Sequence, residues 1–317
     1  MTVTGSPPAT AGTRPPRPRR GGLARREERA GFALIAPTVA VIALVALFPL
    51  VWALSLSLQQ IRLIDIGGVG ILGDFTVANY VDVLTAPGFW EAMWTTTVYT
   101  LGSTLGSLAV GLAVALALRP RFRGRSAVRG LVLLPYVAPV VAVTFVWTVL
   151  LSPQFGLVNH WGQRLLGWDE PIPFLSQSST ALATVIAFEI WRYFPFAFLF
   201  LTARLQAVPR DMEEAALVDG ATPLQKFRYI LLPQLIPTLG VLFVLRAIFT
   251  FNKFDDVYLL TGGGAGTEII SVRVYEFLTA RNDVGAAAAQ AVVLAVILAA
   301  FIALQLRLMR GRGEVSA

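Results

Sequence analysis

Long apolar runs recur along the chain, near residues 32–57, 92–118, 131–152, 179–203, 234–254 and 284–306, with shorter polar stretches between them. They carry neither the 3.6-residue stripe of a one-sided helix nor the two-residue alternation of a half-buried strand. A helix needs about 20 apolar residues to cross the hydrocarbon core of a bilayer. Each run therefore predicts a transmembrane helix, and together they predict an all-α membrane protein of six spans. A membrane β-barrel would instead show alternating segments of about 10 residues. Pro49, Pro135, Pro139, Pro195 and Pro237 fall inside or at the rims of the runs. Membrane helices tolerate this when neighbouring groups satisfy the freed carbonyl.

Composition agrees with the pattern. Of 317 residues, 56% are hydrophobic and 14% charged, against about a quarter charged in a soluble domain. The net charge of +7 does not point to nucleic acid, because the basic residues border the spans, where topology accounts for them. Nineteen of them lie in the N-terminal tail, the loops between runs 2 and 3 and runs 4 and 5, and the C-terminus. The opposite loops hold only Arg62, Arg164, Arg273 and Arg281. The positive-inside rule then puts both termini and the loop between runs 4 and 5 in the cytoplasm.

Residues 1–30 read as a disordered basic cytoplasmic tail, 31–308 as the six-span domain, and 309–317 as a short cytoplasmic tail. The first run exceeds the roughly 7–15 residues of a signal-peptide core, so it reads as a retained span. The chain has no cysteine and one histidine, His160. That leaves no disulfide framework and no thiolate or histidine-rich metal site. His160, beside Trp161 and with Trp168 in the same loop, reads as an interfacial residue.

A polar segment interrupts the apolar chain between runs 4 and 5: residues 214–233, EAALVDGATPLQKFRYILLP. Its local chemistry predicts two short helices. Asp211 stands three residues before Glu214 in capping-box spacing, and Gly220 suits the left-handed position that ends a helix. Thr222, Pro223 and Gln225 form a second start signal, with Thr222 as N-cap, Pro223 at N1 and Gln225 at N3. Ala215, Ala216 and Ala221 keep the surface small enough for another protein to approach. These caps alone also suit an ordinary solvated loop.

The order of residues says more. Glu214-Ala215-Ala216, then Gly220, Ile230 and Leu232-Pro233, at fixed spacing, resembles the EAA motif of permease subunits in binding-protein-dependent ABC importers. The resemblance extends over about residues 31–308. The stretch from Lys253 to Gly264, KFDDVYLLTGGG, is similar to the segment after span 5 in the first permease of carbohydrate importers, the maltose-permease-like kind. The second permease of such pairs usually lacks this glycine run. One departure is Ala265, where proline is common, and it is expected only to alter loop stiffness.

The resemblance implies a coupling region, in which Glu213, Glu214, Ala215, Ala216, Asp219, Gly220 and Ala221 dock in a cleft of a cytoplasmic ATPase, with Asp219 and Gly220 at the turn. It implies as partners an ABC ATPase dimer, a second and different six-span permease, and an extracytoplasmic solute-binding protein that meets loops 58–91, 153–178 and 255–283. The setting is the cytoplasmic (inner) membrane of a bacterium. ATP and Mg would sit on the partner ATPase, with no cofactor on this chain. The residues agree, since no Gly-Lys pair occurs anywhere and the phosphate-cradling GxxxxGK[ST] loop requires one. Gly262-Gly263-Gly264-Ala265-Gly266-Thr267 reads as a flexible turn on the outer side. Asp255 and Asp256 stand without a nucleophile or metal ligands nearby, so an enzyme is not the expectation.

Glu189, Arg192, Arg246 and Lys253 fall in or at the edge of runs 4 and 5. Each costs roughly 2.5–3.5 kcal/mol at that depth, so such groups pair or face a cavity. Arg246, Phe249, Thr250 and Lys253 share one helical face by spacing. Arg192, Tyr193 and Phe196 flank Pro195, which frees a carbonyl and bends a helix. In one reading Glu189 pairs with Arg192 one turn away, while Lys253 snorkels beside Asp255 and Asp256. In the other the group lines a path. The resemblance implies the second, because positions matching Arg192, Tyr193, Phe196, Arg246, Phe249, Thr250 and Lys253 line the substrate site of maltose-permease-like proteins. Aromatic faces beside hydrogen-bonding groups suit a sugar, and three cations leave open an anionic or phosphorylated sugar or polyol. An ion-coupled secondary transporter, the reading from another class, would often show paired half-repeats with broken helices, and none is evident in the sequence.

Overall fold

In the computed structural model, residues 22–68, 70–120 and 122–313 are described. Among them there is no strand, only an isolated bridge between Arg62 and Asp283. The chain divides into two compact units, residues 1–52 and 53–317.

The first unit is built on residues 22–52 of helix α1 (Gly22–Ser57), which contains Pro37 and Pro49. Residues Leu34–Ser57 are long and apolar enough to cross a membrane. Of the tail expected over 1–30, residues 1–21 lie outside the described residues. From Gly22 onward the chain is already helical, because Leu23, Ala24, Arg25, Arg26, Glu27, Glu28, Arg29 and Ala30 are nearly all strong helix formers that extend α1.

The second unit begins with a short 3₁₀ turn (Leu63–Gly68), α2 (Ala78–Thr85) and α3 (Pro87–Ala117), whose first residue is a proline that needs no N–H partner there. Next come α4 (Arg125–Val132), α5 (Leu134–Val137), α6 (Val140–Leu150), α7 (Leu157–Leu166) and α8 (Ala181–Gln206). Helix α9 (Arg210–Val218), α10 (Pro223–Lys226) and a π-turn (Phe227–Leu231) lead into α11 (Leu232–Phe251). The π-turn sits just before Pro233, whose missing N–H breaks the regular ladder, and Leu232 N–H reaches back five residues to the Phe227 carbonyl. Helices α12 (Asp255–Thr261), α13 (Ile270–Thr279) and α14 (Val284–Gly313) complete the unit. Helix α14 thus runs past residue 309, where a tail was expected, and residues 314–317 lie outside the described ones.

Among the described residues five single helices are long and apolar enough to span a bilayer. The third run departs from the expected straight span: Arg125–Val137 and Val140–Leu150 meet at 95°. Pro139 accounts for the break, since it forces the preceding residue out of the helical region, and Ala138 is extended at ψ 142°. Counted as one bent span, the pair makes six.

Helices α3 and α8 form the most extensive helix pair in the second unit. Gly106 and Gly111 make that approach possible. A Cβ on Gly106 would lie 2.2 Å from Ile190 Cδ1, and one on Gly111 would lie 2.6 Å from Ala197 Cβ. Small residues at a contact let membrane helices approach closely. Three apolar clusters follow from this spine. Leu108, Phe198, Leu201, Leu235 and Leu242 join α3, α8 and α11. Tyr99, Val143, Phe188, Val257 and Val272 join α3, α6, α8, α12 and α13. Phe89, Met93, Ile270 and Leu294 join α3, α13 and α14.

Candidate functional site

Two regions of the second unit hold most of the residues singled out in the sequence. The first lies where α8 and α11 face each other. Arg246 Nη2 donates to Glu189 Oε1 at 2.8 Å, with both residues almost wholly buried. The sequence left open a Glu189–Arg192 pair along one helix, and the structure corrects it. Glu189 reaches across to α11, while Arg192 Nε lies 4.0 Å from Asp256 Oδ1. Lys253 Nζ sits 3.0 Å from Asp255 and 3.3 Å from Asp256. Three cations therefore face three carboxyl groups. Burial pushes the Asp256 carboxyl up to about 8, and Glu189 beside it adds to the rise.

Tyr193 is the hub of this cluster. Its hydroxyl accepts a 2.6 Å hydrogen bond from Lys253 Nζ. Its ring centre lies 4.2 Å from Arg246 Cζ, 4.9 Å from Lys253 Nζ and 5.6 Å from Arg192 Cζ. Tyr136 stands edge-on to it with centroids 5.8 Å apart, and Phe196 is 6.1 Å from Tyr136. Tyr136, Tyr193, Phe196, Arg246, Phe249 and Lys253 together line a cavity of about 300 Å³.

Five of the seven residues expected along a path thus border one cavity. Arg192 and Thr250 do not, and both are buried. Sequence reasoning missed Tyr136. It sits in the one-turn helix α5 just before the Pro139 break, so only the bend turns it toward α8. The doublet Pro135 and Pro139 was the available signal for that bend. Glu189 was noticed, but its partner Arg246 was not among the pairings the sequence offered, since helical spacing is blind to a residue 57 positions away.

The second region lies at the end of the unit that carries the basic loops. Helix α9 starts at Arg210 after Pro209, so Asp211 lies inside the first turn and does not cap it. Its charge suits the positive end of the helix there. Gly220 closes α9 at φ +74°, with Ala221 N–H donating to the Ala216 carbonyl at 2.9 Å. This is the left-handed stop that glycine favours. Asp219 is the C-cap. The Thr222–Gln225 capping box is fully formed.

Glu214, Ala215, Asp219 and Gly220 are exposed, while Glu213, Ala216 and Ala221 are partly covered. Exposed apolar residues stand among them, with Val218 88%, Leu224 73% and Tyr229 71% accessible. Glu213 is held by Arg119, whose Nη1 donates to Oε2 at 2.7 Å, with a second bond from Nη2 to Oε1.

The glycine-rich turn after α12 differs from expectation. Gly262, Gly263 and Gly266 have positive φ, and so does Ala265 at +52°. Proline is locked near −65° and cannot occupy that conformation. The alanine therefore marks a different turn, not merely a looser one. Thr261 and Thr267 close it through a 2.6 Å hydroxyl contact.

Residues 107–312 match the family described as binding-protein-dependent transport system inner membrane component. The chain belongs to that family. The inner membrane ABC transporter permease protein YcjO of Escherichia coli is 38% identical to this permease over 275 residues, covering 86% of this chain and 91% of its own. The trehalose/maltose transport system permease protein MalF of Thermococcus litoralis is 32% identical across 92% of this chain and 97% of its own. Among solved structures, a bacterial ABC transporter involved in the import of the acidic polysaccharide alginate shares the fold, with a TM-score of 0.78 at 22% identity over 91% of this chain and 97% of the matched one.

Proposed function

We propose that this permease conducts a neutral sugar and that ATP hydrolysis on a separate ABC ATPase dimer drives it through the α9–α10 loop. One observation carries the substrate reading. The cavity beside Tyr193 offers four aromatic rings and hydrogen-bonding groups, yet the two cations that line it, Arg246 and Lys253, already pair with Glu189 and Asp255. A sugar ring can stack on such faces while its hydroxyls find donors. An anionic solute would find neither of those two cations unpaired.

The ATPase reading is supported by the relatives' being ABC transporter permeases, and by Val218, Leu224 and Tyr229 standing exposed on an otherwise polar loop. Exposed apolar clusters of this kind mark protein contacts. The basic end then faces the cytoplasm, together with both termini. The α7 and α12–α13 end faces a solute-binding protein outside, and a second permease completes the path. Glu189 and Arg246 brace the site, while Tyr193, Phe196, Phe249 and Tyr136 present its aromatic walls.

The test is uptake into membrane vesicles by the chain expressed with its own transporter partners. ATP-dependent accumulation of a neutral oligosaccharide, lost in Tyr193→Ala, is the expected result. Uphill uptake by the chain alone, without nucleotide, or a preference for uronate-bearing sugar, would overturn the proposal.

A further inference from the structure

Helix α3 ends at the loop that follows run 2, and its end is tied down unusually well. Leu118 caps it. The returning chain folds back on that cap, with Arg125 Nε donating to the Leu118 carbonyl at 2.8 Å and Arg129 Nη2 at 3.3 Å. The next residue, Arg119, reaches the other way and grips Glu213 through two parallel hydrogen bonds, 94 residues distant in the chain. The fork-to-carboxylate geometry fixes orientation as well as distance. The pair is only partly accessible, with side-chain exposures of 26% and 19%. It borders a cavity of about 1050 Å³ beneath α9 and α10 that Arg129, Glu214, Lys226 and Leu231 also line.

At its other end α3 packs into the layer of the aromatic site. Tyr99 is fully buried in the cluster with Val185, Phe188 and Val257. From Tyr99 to its last residue, Ala117, α3 rises about 27 Å at 1.5 Å per residue, and Arg119 stands two residues beyond. Over that length Gly106 and Gly111 lock α3 against α8, the helix that carries Glu189 and Tyr193.

We propose that the Arg119–Glu213 pair is the strap that makes α9 and α3 move together, so that a displacement of α9 reaches the aromatic site through the α3–α8 spine. Arg119 is a positioning residue. It touches neither substrate nor nucleotide and acts through Glu213. The proposal rests on α9–α10 being the loop an ATPase moves.

The experiment uses the assembled transporter in vesicles, with nucleotide hydrolysis and solute uptake measured on the same preparation. Arg119→Glu should leave hydrolysis running but cut uptake per ATP hydrolysed by about tenfold, the scale of coupling between residues in one salt-bridged network; Glu213→Arg, at a residue of the expected docking set, should cut the same ratio whatever it does to the hydrolysis rate. The double exchange, Arg119→Glu with Glu213→Arg, should restore most of that loss. Arg119→Lys keeps the charge but loses the fork, and should fall between. A variant that merely misfolds loses hydrolysis and uptake alike, so the ratio separates folding from transmission. An unchanged ratio in both single variants overturns the strap while leaving the functional reading intact, as does a double exchange no better than the singles. Failure of any ATPase to co-purify with the unmodified chain overturns the functional reading and the strap with it.

Discussion

Glu189→Gln is the sharpest perturbation the second unit offers. It keeps the shape of the side chain and removes its charge. Glu189 is fully buried, Arg246 is 3% exposed, and their contact is 2.8 Å. Removing one partner of a buried pair typically costs about 3–5 kcal/mol, because the other charge stays buried without compensation. The ring of Tyr193, 4.2 Å from Arg246 Cζ, is present in both proteins and so does not offset the loss. At about 2 °C per kcal/mol for a chain of this size, the midpoint of thermal unfolding in detergent should fall by roughly 6–10 °C. Arg246→Met should cost a similar amount, since it strands Glu189. The paired change Glu189→Leu with Arg246→Met should lie much nearer the unmodified protein, because apolar replacements of both partners are often neutral. A shift below about 2 °C for Glu189→Gln would mean less than about 1 kcal/mol. The pair would then be wet and loosely held, and the account of a rigid brace would fail.

Three further outcomes follow from the same geometry. With its carboxyl raised to about 8 from 3.8, Asp256 keeps a proton that the unfolded chain has lost, so thermal stability should decline as pH rises through that window and level off above it. Asp256→Asn should flatten the slope, and an identical slope in the variant would refute the assignment. Ala265→Gly should raise stability by about 1 kcal/mol by relieving the left-handed alanine, while Ala265→Pro should destabilise the α12–α13 turn; hydrogen exchange at residues 262–267 reads both, and equal protection in the two variants would contradict the turn described. Asp255→Asn should leave Lys253 without an ionised carboxylate beside it and shift vesicle uptake toward a uronate-bearing sugar, an idea that unchanged selectivity would sink.

The spans were legible in the sequence because length and apolarity alone decide them, and the observed helices fall within a few residues of the runs for most. The break in the third run was not, although Pro139 was visible. A proline in an apolar block is compatible with a straight, kinked or broken helix, and the 95° turn is settled by what packs on either side. Local motifs read well wherever the partners are neighbours in sequence. Gly220 and the Thr222–Gln225 box needed only three or four residues of context. The start of α9 misled, because Pro209 claims the position before the helix and moves Asp211 inward. Long-range polar pairing was illegible. Glu189 with Arg246 and Arg119 with Glu213 each join segments that only the tertiary packing of α3, α8 and α11 brings together.

A conduit differs from a receptor in that its site must let go. Strong, charge-driven binding would hold the solute in place, so a pathway needs contacts favourable enough for entry and weak enough for exit. The arrangement around Tyr193 meets that demand through its internal bookkeeping of charge. Arg246 and Lys253 supply donors and polarise the aromatic walls, but their charges are already answered by Glu189 and Asp255. What remains for a passing solute is stacking and hydrogen bonding, both of which weaken when the walls shift. Because Glu189 and Tyr193 lie on α8, while Arg246, Phe249 and Lys253 lie on or just after α11, any relative movement of those two helices changes the ion pairs and the aromatic walls at once. The site's grip is thereby tied to the position of the helices that form it.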